Sequence, residues 1–123
     1  MRDLHDHKTN SLNDKLRVIA VDDPGIGGAS HLYQIVLPDG SEAGELLGEV
    51  SFQNGPIAEN GINGVTQETL LAIVVDRLRS FQEGDYRCRE NALAITHLEE
   101  AQHWLAHRTN DRLRRGVEGT MNK

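Results

Sequence analysis

One cysteine, Cys88, stands among 123 residues. It leaves no intramolecular disulfide and no CxxC metal or redox motif, which fits a reducing cytosol. Aromatic side chains are nearly as scarce: Tyr33, Phe52, Phe81, Tyr86 and Trp104 are the full set, so any core must be aliphatic. Leu, Ile, Val and Phe together number 31, above the share of roughly a fifth below which chains tend to stay disordered. No apolar run approaches the ~20 residues that cross a bilayer, and Met1-Arg2-Asp3-Leu4-His5-Asp6-His7 lacks the apolar stretch of a secretory signal. A soluble, intracellular protein of one compact domain is expected.

Positive charge is also in deficit, with 13 Lys and Arg against 19 Asp and Glu. That balance argues against a general DNA or RNA binder, whose affinity comes from neutralising phosphates. The deficit is uneven. Residues 107–123 carry Arg108, Arg112, Arg114, Arg115 and Lys123 against Asp111 and Glu118, a local net of +3, while residues 1–106 carry −9.

Residues 1–15 are polar and aperiodic and are expected to be flexible. From 16 to 65 the pattern is that of a small antiparallel β-sheet with Gly- and Asn-rich loops. Arg17–Val21 offers a short apolar strand, and Gly25-Ile26-Gly27-Gly28 reads as a turn, lacking the spacing of either phosphate-loop motif. A second strand, His31–Leu37, is closed by Pro38-Asp39-Gly40. The return strand, Glu45–Phe52, breaks alternation near Gly48, which predicts a bulge there. Thr66 then caps a helix in which Leu70, Leu71, Val74, Val75, Leu78 and Phe81 recur at spacings of three and four, up to Gly84. A second helix, from about Tyr86 to Arg115, places Cys88, Ala92, Ile95, Leu98, Ala101 and Leu105 on its inner face and stops at Gly116. The short connection forces the two helices antiparallel. The fold class is α+β, a sheet followed by a two-helix hairpin with a basic tail over 66–123; Trp104 exceeds what one partner helix covers and points to a subunit contact.

Arg108, Arg112 and Arg115 fall on one helical stripe. They either complement the helix dipole or form an anion site, since guanidinium forks suit phosphate oxygens. Glu100, His103 and His107 also share a face, and such groups can ligate a metal; the default is solvated or interfacial histidines. No Ser/His/Asp set stands at a recognisable spacing. Phe81 is either core or a ring on which a purine stacks, and Asn91 is either a satisfier of the turn or a reader of a base edge.

The runs Glu90–Ala101, Trp104-Leu105, Arg108-Thr109 and Arg115–Thr120, together with Ser51–Ile57, Gly64-Val65-Thr66 and Leu70–Val74, resemble the Thoeris anti-defence sponges of bacteriophages. The hairpin alone is also similar to the smaller phage anti-CBASS sponges. The resemblance implies a non-enzymatic protein, without metal or cofactor, in the cytoplasm of the infected bacterial host. Such proteins bind glycocyclic ADP-ribose, the signal a TIR-domain enzyme makes from NAD, and hold it intact so that the defence effector is not activated. Phe81 is implied to stack on the adenine, Asn91 to hydrogen-bond, and Arg108 with Arg114 to hold the pyrophosphate, partly across a subunit boundary. Arg89 is implied at a separate site for cyclic di- or trinucleotides, which some members hold in a hexamer built as a trimer of dimers. The resemblance implies neither a nucleic-acid polymer nor a membrane as partner. Val21 stands where the family carries an aromatic. Two other classes compete: a metal-dependent phosphodiester hydrolase using Glu100, His103 and His107, and an oligomerising phage adaptor.

Overall fold

A computed structural model describes residues 1–123. The elements run β1 (Arg2–Leu4), α1 (Ser11–Lys15), β2 (Arg17–Ala20), β3 (Leu32–Leu37), β4 (Glu45–Ser51), α2 (Ile57–Asn60), α3 (Gln67–Glu83) and α4 (Arg89–Arg115). The strands form one antiparallel sheet in the order β1-β2-β3-β4, and the long helices follow, so the α+β class and its order of parts hold. The chain divides into two compact units: residues 1–55 with 62–64, and residues 56–61 with 65–123.

The sheet unit follows the hydrophobic strands closely. Ile35 faces Gly48 and Val36 faces Leu46, which leaves Leu47 as the extra residue of a bulge at the expected place. Beyond β4, Phe52 N–H still donates to the His31 carbonyl at 2.7 Å, and its ring meets Tyr33 edge-on at 5.6 Å. Ile19, Ala20 and Val36 are buried. The stretch 1–15, read from composition as loose, differs. Arg2–Leu4 pairs with Val18–Ala20, Asp3 bridges Arg17 at 3.0 Å, and Asn10 caps α1 by accepting from Asn13 N–H at 2.8 Å. A three-residue strand is too short to display alternation, so its signal lies in the partner strand.

Asp22 closes the loop between β2 and β3. Its carboxylate accepts from the backbone N–H of Leu32 at 2.9 Å and of His31 at 2.9 and 3.0 Å. Those backbone donors, Leu32 first, hold its carboxyl below the usual carboxylate range. A carboxylate with a depressed folded-state pKa stabilises the fold above its unfolded value, and that contribution disappears as pH falls through the folded one.

In the helical unit Thr66 forms a reciprocal capping box with Thr69, and α4 ends at Gly116 in the left-handed conformation (φ 72°, ψ 22°), its N–H bonded to the Arg112 and Leu113 carbonyls. Both signals were legible. The inner face of α4 is shifted from the expected one: Asn91, Ala94, Ile95, Leu98, Ala101, Leu105 and Thr109 are half-buried, whereas Cys88 and Ala92 are exposed.

A Cβ on Gly64 would run into the Phe52 carbonyl and stand 2.6 Å from the Gln53 nitrogen. Backbone cannot yield as a side chain does, so Gly64→Ala should lower stability by about 1–3 kcal/mol in urea melts. Asp22→Asn should flatten the acid limb of a thermal-melt series across pH, with its largest relative effect at neutral pH.

Candidate functional site

The helical unit sets the geometry of the candidate residues. Phe81 lies in the last turn of α3 and Asn91 near the start of α4, so both sit at the closed end of the hairpin. The joint is tied by Gln82, whose Oε1 accepts from Cys88 N–H at 2.8 Å while its Nε2 donates to the Cys88 carbonyl at 3.0 Å. Cys88 Sγ in turn accepts from Asn91 N–H at 3.4 Å, capping α4. Arg89, the first residue of α4, is exposed at the same end.

Arg108 and Arg114 lie at the other end. From Asn91 to Arg108 is seventeen residues of continuous helix, about 26 Å at 1.5 Å per residue. One chain therefore places Phe81 and Asn91 at one end of the hairpin and Arg108 and Arg114 at the other, and does not bring the two pairs to a common ligand of mononucleotide size.

The arginines differ sharply in what they are bonded to. Arg112 is 7% exposed. Its Nε meets Glu118 at 3.2 Å, its Nη1 donates to the Asn122 carbonyl at 2.7 Å, and its Nη2 donates to the carbonyls of Val117 at 2.8 Å and Thr120 at 3.1 Å. Every nitrogen of the group is engaged in folding the tail back onto α4. The stripe of Arg108, Arg112 and Arg115 is therefore not an anion site as a whole. Arg115 bridges Asp111 at 3.0 Å, and Arg114 reaches the same carboxylate at 3.4 Å. Arg108 is exposed and makes no ion pair. The helix continues to Arg115, so Arg108 and Arg114 point about 120° apart.

Glu100, His103 and His107 are exposed on α4. Glu100 instead meets His97 Nδ1 at 3.6 Å. The rings of His103 and His107 flank Trp104 edge-on at 5.6 and 5.7 Å. Within the chain, no three His, Cys, Asp or Glu side chains stand close enough to hold a metal ion.

The contact line between α3 and α4 runs through buried Val75 and half-buried Leu98. Relative to it, Val74, Phe81, Leu93 and Trp104 are rotated to one side by about 100–140°, while Arg79 and Glu99 are rotated to the other. The Arg79–Glu99 bridge at 3.2 Å confirms the phase. The first side is apolar and open: Val74 is 45%, Leu93 42% and Trp104 66% exposed. Sequence reasoning passed over Arg77 on this side. Its guanidinium carbon lies 5.2 Å from the centre of the Phe81 ring, a pairing visible in the i, i+4 spacing.

Residues 47–109 match the Acb2/Tad1 hairpin domain, just over half of the chain. The chain belongs to that family. It is also 56% identical over 77 residues to Thoeris anti-defense 1 of Bacillus phage SBSphiJ7, a match covering 63% of this chain and 54% of that protein. The chain thus matches about half the length of that relative. Phe81, Arg89, Asn91 and Arg108 fall within the matched hairpin, and Arg114 lies beyond it.

Removing Arg112 would strand four carbonyl or carboxylate partners. Arg112→Ala should therefore cost about 2–4 kcal/mol in urea denaturation. Arg114→Ala, which gives up one exposed ion pair, should change stability by less than ~1 kcal/mol in the same assay.

Proposed function

We propose that this chain is a phage anti-Thoeris protein that binds a glycocyclic ADP-ribose signal and withholds it from the defence effector without turning it over. The observation that carries the reading is the family match over the hairpin, which covers a stacking ring, an amide and an ion-pair-free arginine on exposed or half-exposed positions. Phe81 stacks on the adenine, Asn91 hydrogen-bonds to the ligand, and Arg108 with Arg114 holds the pyrophosphate; Arg89 serves a separate cyclic-oligonucleotide site. The setting is the cytoplasm of the infected host, and no helix of the chain is long and apolar enough to cross a membrane.

The length of α4 supports reading this as a site shared by two chains. A twofold axis near Glu99 and Glu100 lays two α4 helices antiparallel, so that Asn91 of one copy comes level with Arg108 of the other. The same operation covers Leu93 and Trp104, the open apolar side. A symmetric dimer then holds two equivalent sites, and a trimer of such dimers is the larger assembly.

Incubation with glycocyclic ADP-ribose, followed by heat denaturation and analysis of the released nucleotide, tests the reading. Intact ligand in the supernatant is expected; degraded ligand means a hydrolase, and no captured ligand means an adaptor. Arg108→Ala and Phe81→Ala should each weaken capture by about 10–100-fold, the range of a charge-assisted hydrogen bond or a base stack. Mixing the two defective proteins and allowing subunit exchange should restore tight binding at about a quarter of the sites, because a mixed symmetric dimer keeps one intact site in two. Absence of recovery would overturn the shared two-chain site.

A further inference from the structure

We propose that Arg77 is a ligand-binding and specificity-determining residue at the Phe81 end of the hairpin, holding a ribose-linked phosphate of the nucleotide whose base stacks on Phe81. The inference rests on the nucleotide-sequestering reading above and adds a residue to it. Arg77 precedes Phe81 by one helical turn on α3, and its guanidinium lies over the ring with its central carbon 5.2 Å from the centroid. It is exposed and makes no ion pair, whereas Arg79, two residues on, is occupied by Glu99 at 3.2 Å. A guanidinium resting on an aromatic face keeps its N–H donors, which lie in its own plane, free for an acceptor. The stack is a weaker attraction than a charge-assisted hydrogen bond to phosphate, so it places the group without withholding it. A base stacked on the half-exposed Phe81 ring carries its nearest phosphate one ribose away, within reach of the donors of a guanidinium whose central carbon is 5.2 Å from the ring centre. Acidic Glu83, Asp85 and Glu90 lie exposed around the same end, so a cation on the ring also counters their repulsion of an anionic ligand. The ligand class selected is a phosphorylated purine nucleotide over its neutral nucleoside.

The test compares the full-length wild-type chain with Arg77→Met and Arg77→Lys. Calorimetry reads binding of glycocyclic ADP-ribose, and ligand-observed NMR reads binding of adenosine. Arg77→Met should bind the cyclic nucleotide at least tenfold more weakly while adenosine binding stays unchanged; Arg77→Lys, which keeps the charge but not the planar fork, should fall between. Equal affinity of wild type and Arg77→Met for the cyclic nucleotide would overturn the assignment and leave the sequestering function standing. An equal loss of both ligands would make Arg77 a support for the Phe81 ring and overturn the phosphate role. Failure of the wild type to bind the cyclic nucleotide would bring down both readings together.

Discussion

The rigidity of α4 governs what this hairpin can do. Twenty-seven residues in one uninterrupted helix make a rod of about 40 Å, capped at one end by Cys88 and closed at the other by Gly116. Nothing along it is a hinge: it holds no proline and no glycine. A residue near its start and a residue near its end therefore cannot converge on a small ligand by bending. Any function that needs both must come from two copies, and the apolar side left open beside Leu93 and Trp104 supplies a surface on which two copies would pack. On the two-chain reading proposed above, ligand binding and assembly are one event, because an antiparallel arrangement that covers the apolar side would also bring the two ends level.

The basic tail shows how identical residue types acquire different roles from their partners. Arg112 and Arg108 are one helical turn apart, yet Arg112 is buried against three carbonyls and a carboxylate while Arg108 is free. The difference comes from the chain after Gly116. That left-handed residue turns Val117–Asn122 back over the helix, and the carbonyls of Val117, Thr120 and Asn122 turn toward Arg112. A buried guanidinium with five donors satisfies them at one point. Arg112 thereby fixes the surroundings of Arg114 and Arg115 without facing solvent itself.

Much of the fold was readable from local chemistry. Thr66, Gly84 and Gly116 set the helix ends, and the irregular spacing around Gly48 placed the bulge, because caps and bulges are decided by a few adjacent residues. The candidate site was readable only in part. Phe81 and Asn91 stand out by type and position and Arg108 only as one of a stripe of three, whereas the burial of Arg112 depends on a tail that returns from ten residues away, and no helical periodicity records it. The edge strand at Arg2–Leu4 was missed for a related reason: its stabilisation is the ladder to β2, which a three-residue pattern cannot express. Arg77 was missed because a cation one turn from a ring looks like any solvated face until its position over that ring is seen.

The overall acidity takes on a different meaning once these partners are known. The tail's net +3 includes Arg112, which is neutralised internally, and two arginines that share Asp111. Arg108 is left as the tail's exposed arginine without an ion pair, and Arg77 is a similar isolated cation at the opposite end. Single cations of this kind attract a phosphate that comes within a Debye length, about 8 Å in physiological salt. They do not form the continuous basic track that a polymer backbone needs. A small cyclic nucleotide samples only the few ångströms around each guanidinium, whereas a longer polyanion must also cross the acidic surface between them. Isolated arginines on an acidic chain therefore discriminate by ligand size as well as by charge.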